Sequence, residues 1–103
     1  MAKRPSSFRL VPKAREDLEA IWRYSCETWS VDQADAYYER LVAAFEALAS
    51  GDLIGQSVDE LRRGYFRYAV GAHLVFYRYR ASELEIVRIL HQRMDVALRL
   101  RDT

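Results

Sequence analysis

Three runs rich in β-branched and aromatic residues stand almost end to end in the second half of the chain: YFRYAV (Tyr65 to Val70), HLVFYRYR (His73 to Arg80) and LEIVRILH (Leu84 to His91). Only Gly71-Ala72 separates the first two, and only Ala81-Ser82-Glu83 the last two. A parallel neighbour needs a crossover of about a dozen residues, so breaks this short permit antiparallel pairing alone, and the half is a three-stranded meander. Period-two alternation sets Val87, Ile89 and His91 on one face of the last strand and Ile86, Arg88 and Leu90 on the other. Both faces are largely apolar, so this strand should be central and covered on both sides.

The first half supplies one cover. FRLV (Phe8 to Val11) is a short strand candidate ended by Pro12, and Pro12 suits a first helical turn. Ala14, Leu18, Ile21, Trp22, Ser25 and Trp29 then recur as the stripe of a one-sided helix. Ser30 followed by Gln33 reads as a capping box opening a second helix, striped by Ala34, Tyr37, Tyr38, Leu41, Ala44, Phe45 and Leu48 and stopped by Gly51. So short a join makes an antiparallel helical hairpin. Gly51 to Leu61 reads as a connecting loop with at most a turn of helix, and VALRLRDT as a last short helix. The expected fold is α+β, in the order β-α-α-β-β-β, with the hairpin on one sheet face. The other face, covered only by the C-terminal helix, should leave a groove, and exposed apolar grooves usually mean a partner.

A chain of 103 residues is expected to be one domain, residues 1–103. No apolar run approaches the ~20 residues that span a bilayer, and the basic opening MAKRPSS is not followed by a signal-like stretch, so a cytoplasmic protein is expected. The one cysteine, Cys26, gives no disulfide framework and no CxxC, and its place in a helical stripe points to packing. The net charge of +1 conceals a division. Residues 14 to 49 hold three arginines against eight carboxylates, net −5, while residues 62 to 103 hold nine arginines against four, net +5. Two readings stay open: internal salt bridges, or a basic face for an acidic partner. Every cation after Lys13 is arginine, whose planar fork grips carboxylates and phosphates bidentately.

Chemistry has few places to sit. The strand ends on His91, Gln92, Arg93, Met94 and Asp95, where backbone pairing fixes the base of each side chain. General acid–base work needs tuned groups on one centre, and His73 and His91 are the only histidines. His91 with Arg67, Arg78 and Arg93 has the makings of a phosphodiester site; the alternative is that His91 closes the strand and the arginines hold carboxylates. No Gly-rich phosphate loop, HExxH or nucleophile elbow is present, and the acids Glu83, Glu85 and Asp95 are scattered, so neither metal nor cofactor is expected.

The segments AREDLEAIWRY, GAHLVFYR and RILHQRMD, in this order and spacing, resemble the ParE branch of the RelE/ParE toxin superfamily from about Phe8 to Leu100. The resemblance implies the β-α-α-β-β-β fold and a type II toxin that inhibits growth by binding and poisoning DNA gyrase, with no catalytic residue. It further implies a hetero-oligomer with a ParD-like antitoxin, through which alone operator DNA is touched. Arg67, Arg78, His91, Arg93 and Asp95 are then the candidates for target contact, and Arg62, Arg63, Arg78, Arg80 and Arg88 for antitoxin contact.

The RelE branch, which shares the scaffold and cuts mRNA on the ribosome, is the competitor. In it His91, Arg67 and Arg93 would be the catalytic set. Two departures weigh against cleavage: Leu74 stands in GAHL where RelE-like sequences commonly carry arginine, and no tyrosine follows Tyr79. A descendant without toxicity would keep the same core stripes. Direct DNA binding is disfavoured, since the basic half lacks a recognition-helix pattern.

Overall fold

The structure, a computed structural model, describes residues 7–101; residues 1–6, with the basic opening, and 102–103 lie outside the described residues. The element order is β1 (Phe8–Leu10), α1 (Pro12–Thr28), α2 (Val31–Ser50), β2 (Gln56–Ser57), β3 (Phe66–Val70), β4 (His73–Arg80), β5 (Glu83–His91) and α3 (Val96–Arg101). Pro12 opens α1, the Ser30 side chain accepts the Gln33 N–H at 3.1 Å to cap α2, and Gly51 ends α2 in the left-handed region at φ +87°.

The meander is present, but the sheet is larger and mixed: five strands in the order β1-β5-β4-β3-β2, with β1 parallel to β5 and the other pairs antiparallel. This corrects the three-stranded expectation. The helical hairpin carries the chain from β1 to β2 at the opposite edge of the sheet, and the antiparallel strands that follow bring β5 back parallel beside β1. β2 is two exposed residues inside the expected loop, too short to leave a sequence pattern.

A second correction concerns β5. Tyr77 faces Ile86 while Phe76 faces Arg88, so Val87 is the extra residue of a β-bulge. Strict alternation fails there. Ile86 and Ile89 both enter the hairpin-side core with Leu18, Leu41, Phe45 and Leu48, whereas Val87 and Leu90 join the far-side core with Phe76, Val58, Tyr65 and Leu100. The far face is thus covered by the loop before β3 as well as by α3.

Both hairpin turns have two residues, with positive φ at the first central position only: Gly71 at +56° and Ala81 at +57°. That is the type II′ pattern, which suits strand twist. Glu83 begins β5 rather than belonging to the turn. Ala81 occupies a glycine position at a cost of about 1 kcal/mol.

Two buried carboxylates hold arginines, and one of these pairs, Arg88 with Asp17, joins the acidic segment to the basic one. Glu85, 1% exposed, accepts from Arg78 Nε at 2.8 Å and from Arg9 Nη2, tying β1, β5 and β4 together. Arg88 donates from Nε and Nη2 to Asp17 at 2.8 and 3.0 Å, and the Ile89 N–H donates to the same carboxylate at 2.9 Å. Asp17 of α1 thereby satisfies the edge of β5 just beyond the point where β1 ends.

Candidate functional site

A groove of about 800 Å³ lies on the hairpin side of the sheet, where none was expected, and a smaller one of about 520 Å³, lined by Arg67, Ala69, Leu74 and Gln92, lies on the opposite face. The second half of α1 and the start of α2 overhang the end of the sheet, where it has tapered to the Gly71-Ala72 turn and the last residue of β5. The stripe residue Trp29 has no strand beneath it there and is 68% exposed, and Tyr24, which lies off the stripe, is 65% exposed at the same rim. Trp22 and Tyr38, also placed on the buried stripes by spacing, lie on the outer surface of the hairpin, where Trp22 Nε1 donates to Asp35. Ile21, Ile89 and Met94 give the groove its apolar wall, and Asp17, Tyr37, His73 and His91 its polar floor.

The floor is ordered by the bulge. His73 and His91 are directly opposed across β4 and β5, their rings 5.4 Å apart edge to face. The Tyr37 hydroxyl donates to the Val70 carbonyl at 2.9 Å and stands 2.7 Å from His73 Nδ1. With its proton directed at Val70, Tyr37 accepts from His73 Nδ1–H, leaving His73 Nε2 as an acceptor. His91 Nδ1 accepts the Arg93 N–H at 3.1 Å, so a neutral His91 carries its proton on Nε2 and is a donor. Burial pushes the Tyr37 hydroxyl up, against the Ala72 amide and the Arg40 charge, so it stays protonated. Burial, helped by the neighbouring His91 and opposed by Asp17, holds His73 below the ordinary histidine range.

The linkage has a definite sign. The unfolded chain takes up the His73 proton at about pH 6.5, before the folded chain does, so folding stability is complete above that pH and falls as the pH drops below it. Urea titrations between about pH 7.5 and pH 5 should show this loss, and His73→Asn, which keeps a donor at the Nδ1 position, should flatten it.

The predicted contact residues are dispersed. On β3, Phe66, Tyr68 and Val70 face the hairpin, so Arg67 projects from the opposite face, opposed to Phe76; its Nη2 donates to Gln56 Oε1. His91 faces the hairpin. Arg93 lies exposed on the turn after β5, its side chain in water. Asp95 caps α3 by accepting the Leu98 N–H at 3.2 Å. Arg78 and Arg88 are held by Glu85 and Asp17. Arg62 lies 4.9 Å over the Tyr65 ring and donates to the Leu100 carbonyl, so it fastens α3 to the sheet. Arg63 and Arg80 are exposed.

Sequence reasoning missed Tyr37 and His73 as partners of His91, and Tyr24 and Trp29 as a rim. The Cys26 thiol, pushed up by burial and then by Asp35 and Glu27, is a poor nucleophile. Among the described residues, no group of three or more His, Cys, Asp or Glu is placed to hold a metal ion, and no helix is long and apolar enough to cross a membrane.

The comparisons with known proteins agree with one another. The family model described as the ParE toxin of type II toxin-antitoxin system, parDE, matches residues 8–96. Toxin ParE1 of Caulobacter vibrioides is 43% identical over 93 residues, covering 90% of this chain and 96% of that protein. Toxin ParE1 of Mycobacterium tuberculosis is 41% identical over 92 residues, covering 88% and 94%. A solved chain of the chromosomal ParDE TA system from P. aeruginosa has the same fold, with a TM-score of 0.71 at 20% identity, covering 82% of this chain and 94% of that one. The chain belongs to the ParE toxin family of type II toxin–antitoxin systems.

Proposed function

We propose that this chain inhibits growth by binding DNA gyrase, without catalysing a reaction, and that a ParD-like antitoxin holds it inactive. The observation that carries the non-catalytic reading is that His91 and Arg67 project from opposite faces of the sheet. A ribonuclease must bring its proton-transfer and charge-stabilising groups within hydrogen-bond reach of one ribose and its phosphate. These two cannot meet there. Expression of the chain without antitoxin should cause filamentation and DNA damage with transcripts intact. Rapid loss of mRNA without DNA damage would overturn this reading in favour of the ribonuclease.

The antitoxin is assigned to the groove between the hairpin and the floor of His73 and His91. An amphipathic segment seats its apolar face in such a groove, and carboxylates on its outward face would meet the exposed Arg40 and Arg93 at the rim, away from the floor. Trp29, largely exposed without a partner, is the natural anchor. Trp29→Ala should weaken antitoxin binding about tenfold or more while leaving the thermal melt nearly unchanged. Unchanged affinity would remove the antitoxin from this groove.

A further inference from the structure

We propose that the opposed imidazoles of His73 and His91 make antitoxin binding proton-dependent, so that the complex loosens as the pH falls below neutrality. The inference rests on the seating of the antitoxin in the groove above them. Its geometric basis is the cross-strand pair itself: two rings 5.4 Å apart on one floor, one presenting an acceptor and the other a donor when both are neutral. In that state the pair offers a seated chain one complementary donor and acceptor. Protonation of His73 removes the acceptor and sets a cation against the His91 ring, 5.4 Å away.

The groups facing the pair compensate such a charge only in part. From α1 comes Asp17, whose carboxylate is already committed to Arg88 and the Ile89 amide. From α2 come Tyr37, kept neutral, and Arg40 beyond its ring. The turn after β5 contributes the Arg93 amide and the apolar Met94. One carboxylate already paired with an arginine, and further cations beyond it, make this a poor site for an added positive charge. In the free protein water screens that charge from the open side of the groove. A seated apolar segment expels the water, so the charged form is penalised more in the complex than in the free chain. By linkage, binding then expels protons and acid weakens binding.

The test measures affinity of the full-length chain for the full-length ParD-like antitoxin expected from the adjoining reading frame, at about pH 7.5 and about pH 5.5. The wild type should bind about fivefold or more weaker at the lower pH. In His73→Asn/His91→Asn, both Nδ1-side contacts are kept but neither residue titrates, so the change should shrink to under about twofold. A wild type that is flat over this range, or a double variant that declines in parallel with it, overturns the proposal. Calorimetry of the wild type near pH 6 in buffers of different ionisation enthalpy needs no variant: net proton release supports the proposal, and none or net uptake overturns it. Trp29→Ala at about pH 7.5 separates the two failures. Full affinity in that variant overturns the groove as the antitoxin seat and the proton linkage with it; weakened binding beside a flat pH profile overturns the linkage alone.

Discussion

Replacing Asp17 by alanine is expected to cost about 3–5 kcal/mol of folding stability, a large part of the ~5–15 kcal/mol that keeps a domain folded. The side chain has one carboxylate and three tasks. Two of its bonds take the fork of Arg88, and the third takes the Ile89 amide at the edge of β5. That edge is bare for a topological reason: β1 ends at Leu10, opposite Ile86, and among the described residues no strand continues beside Val87 to His91. Removing the carboxylate leaves a guanidinium whose side chain is 11% exposed and a backbone amide, both out of easy reach of water. The loss is therefore the cost of an unpaired amide and of a guanidinium deprived of this carboxylate, left with the Arg99 carbonyl, rather than the worth of an ion pair.

The same logic gives a control. In Asp17→Ala/Arg88→Met the buried cation is gone as well, and most of the stability should return, leaving a deficit of about 1–2 kcal/mol for the Ile89 amide. Urea denaturation of the wild type, both single variants and the double variant closes the cycle. Should Asp17→Ala cost less than about 1 kcal/mol, the carboxylate does not carry the edge of the sheet, and water reaches Arg88 after all. The result also bears on function, because Arg88 was expected from sequence to meet an acidic partner. A large loss would show that its partner is within the chain.

The order of elements was legible because local chemistry and tertiary structure agree: Pro12, Ser30 and Gly51 punctuate the hairpin where caps belong, and two-residue breaks leave adjacent strands no choice of direction. What could not be read was set by geometry without a local signature. The Arg80–Glu83 turn, counted forward by strict alternation, would oppose His73 to Leu90. The single extra residue at Val87 shifts the ladder and opposes His73 to His91 instead, so one bulge creates the histidine pair and exchanges the faces of Val87 and Ile89 relative to one another. Apolar side chains on both sides made the bulge invisible, since no polar residue was forced into a core. The arginines failed differently. Their number signalled recognition, but Arg62, Arg78 and Arg88 each face a carbonyl or carboxylate far away in sequence, which no periodicity reports. The groove escaped because spacing cannot tell a helix turn above a strand from one that overhangs the end of the sheet.

The Gly71 turn should prove nearly as sensitive as Asp17, with Gly71→Ala expected to cost about 2–5 kcal/mol. Two effects coincide there. At φ +56° any side chain other than glycine is strained, by about 1–2 kcal/mol. A Cβ would also stand 2.8 Å from Cε1 and from the hydroxyl oxygen of Tyr37, and that ring cannot swing away without releasing Val70 and His73. Gly51 isolates the first effect: its φ is +87°, yet nothing lies within 4 Å of an added Cβ. Gly51→Ala should therefore lose only about 1 kcal/mol, and the difference between the two variants measures how firmly Tyr37 is held. Equal losses would mean that Tyr37 moves freely, and the floor of the groove would then be softer than its hydrogen bonds suggest. An excess loss at Gly71, accompanied by a changed titration of His73 in NMR spectra, would establish that the turn, the tyrosine and the histidine pair act as one unit beneath the groove.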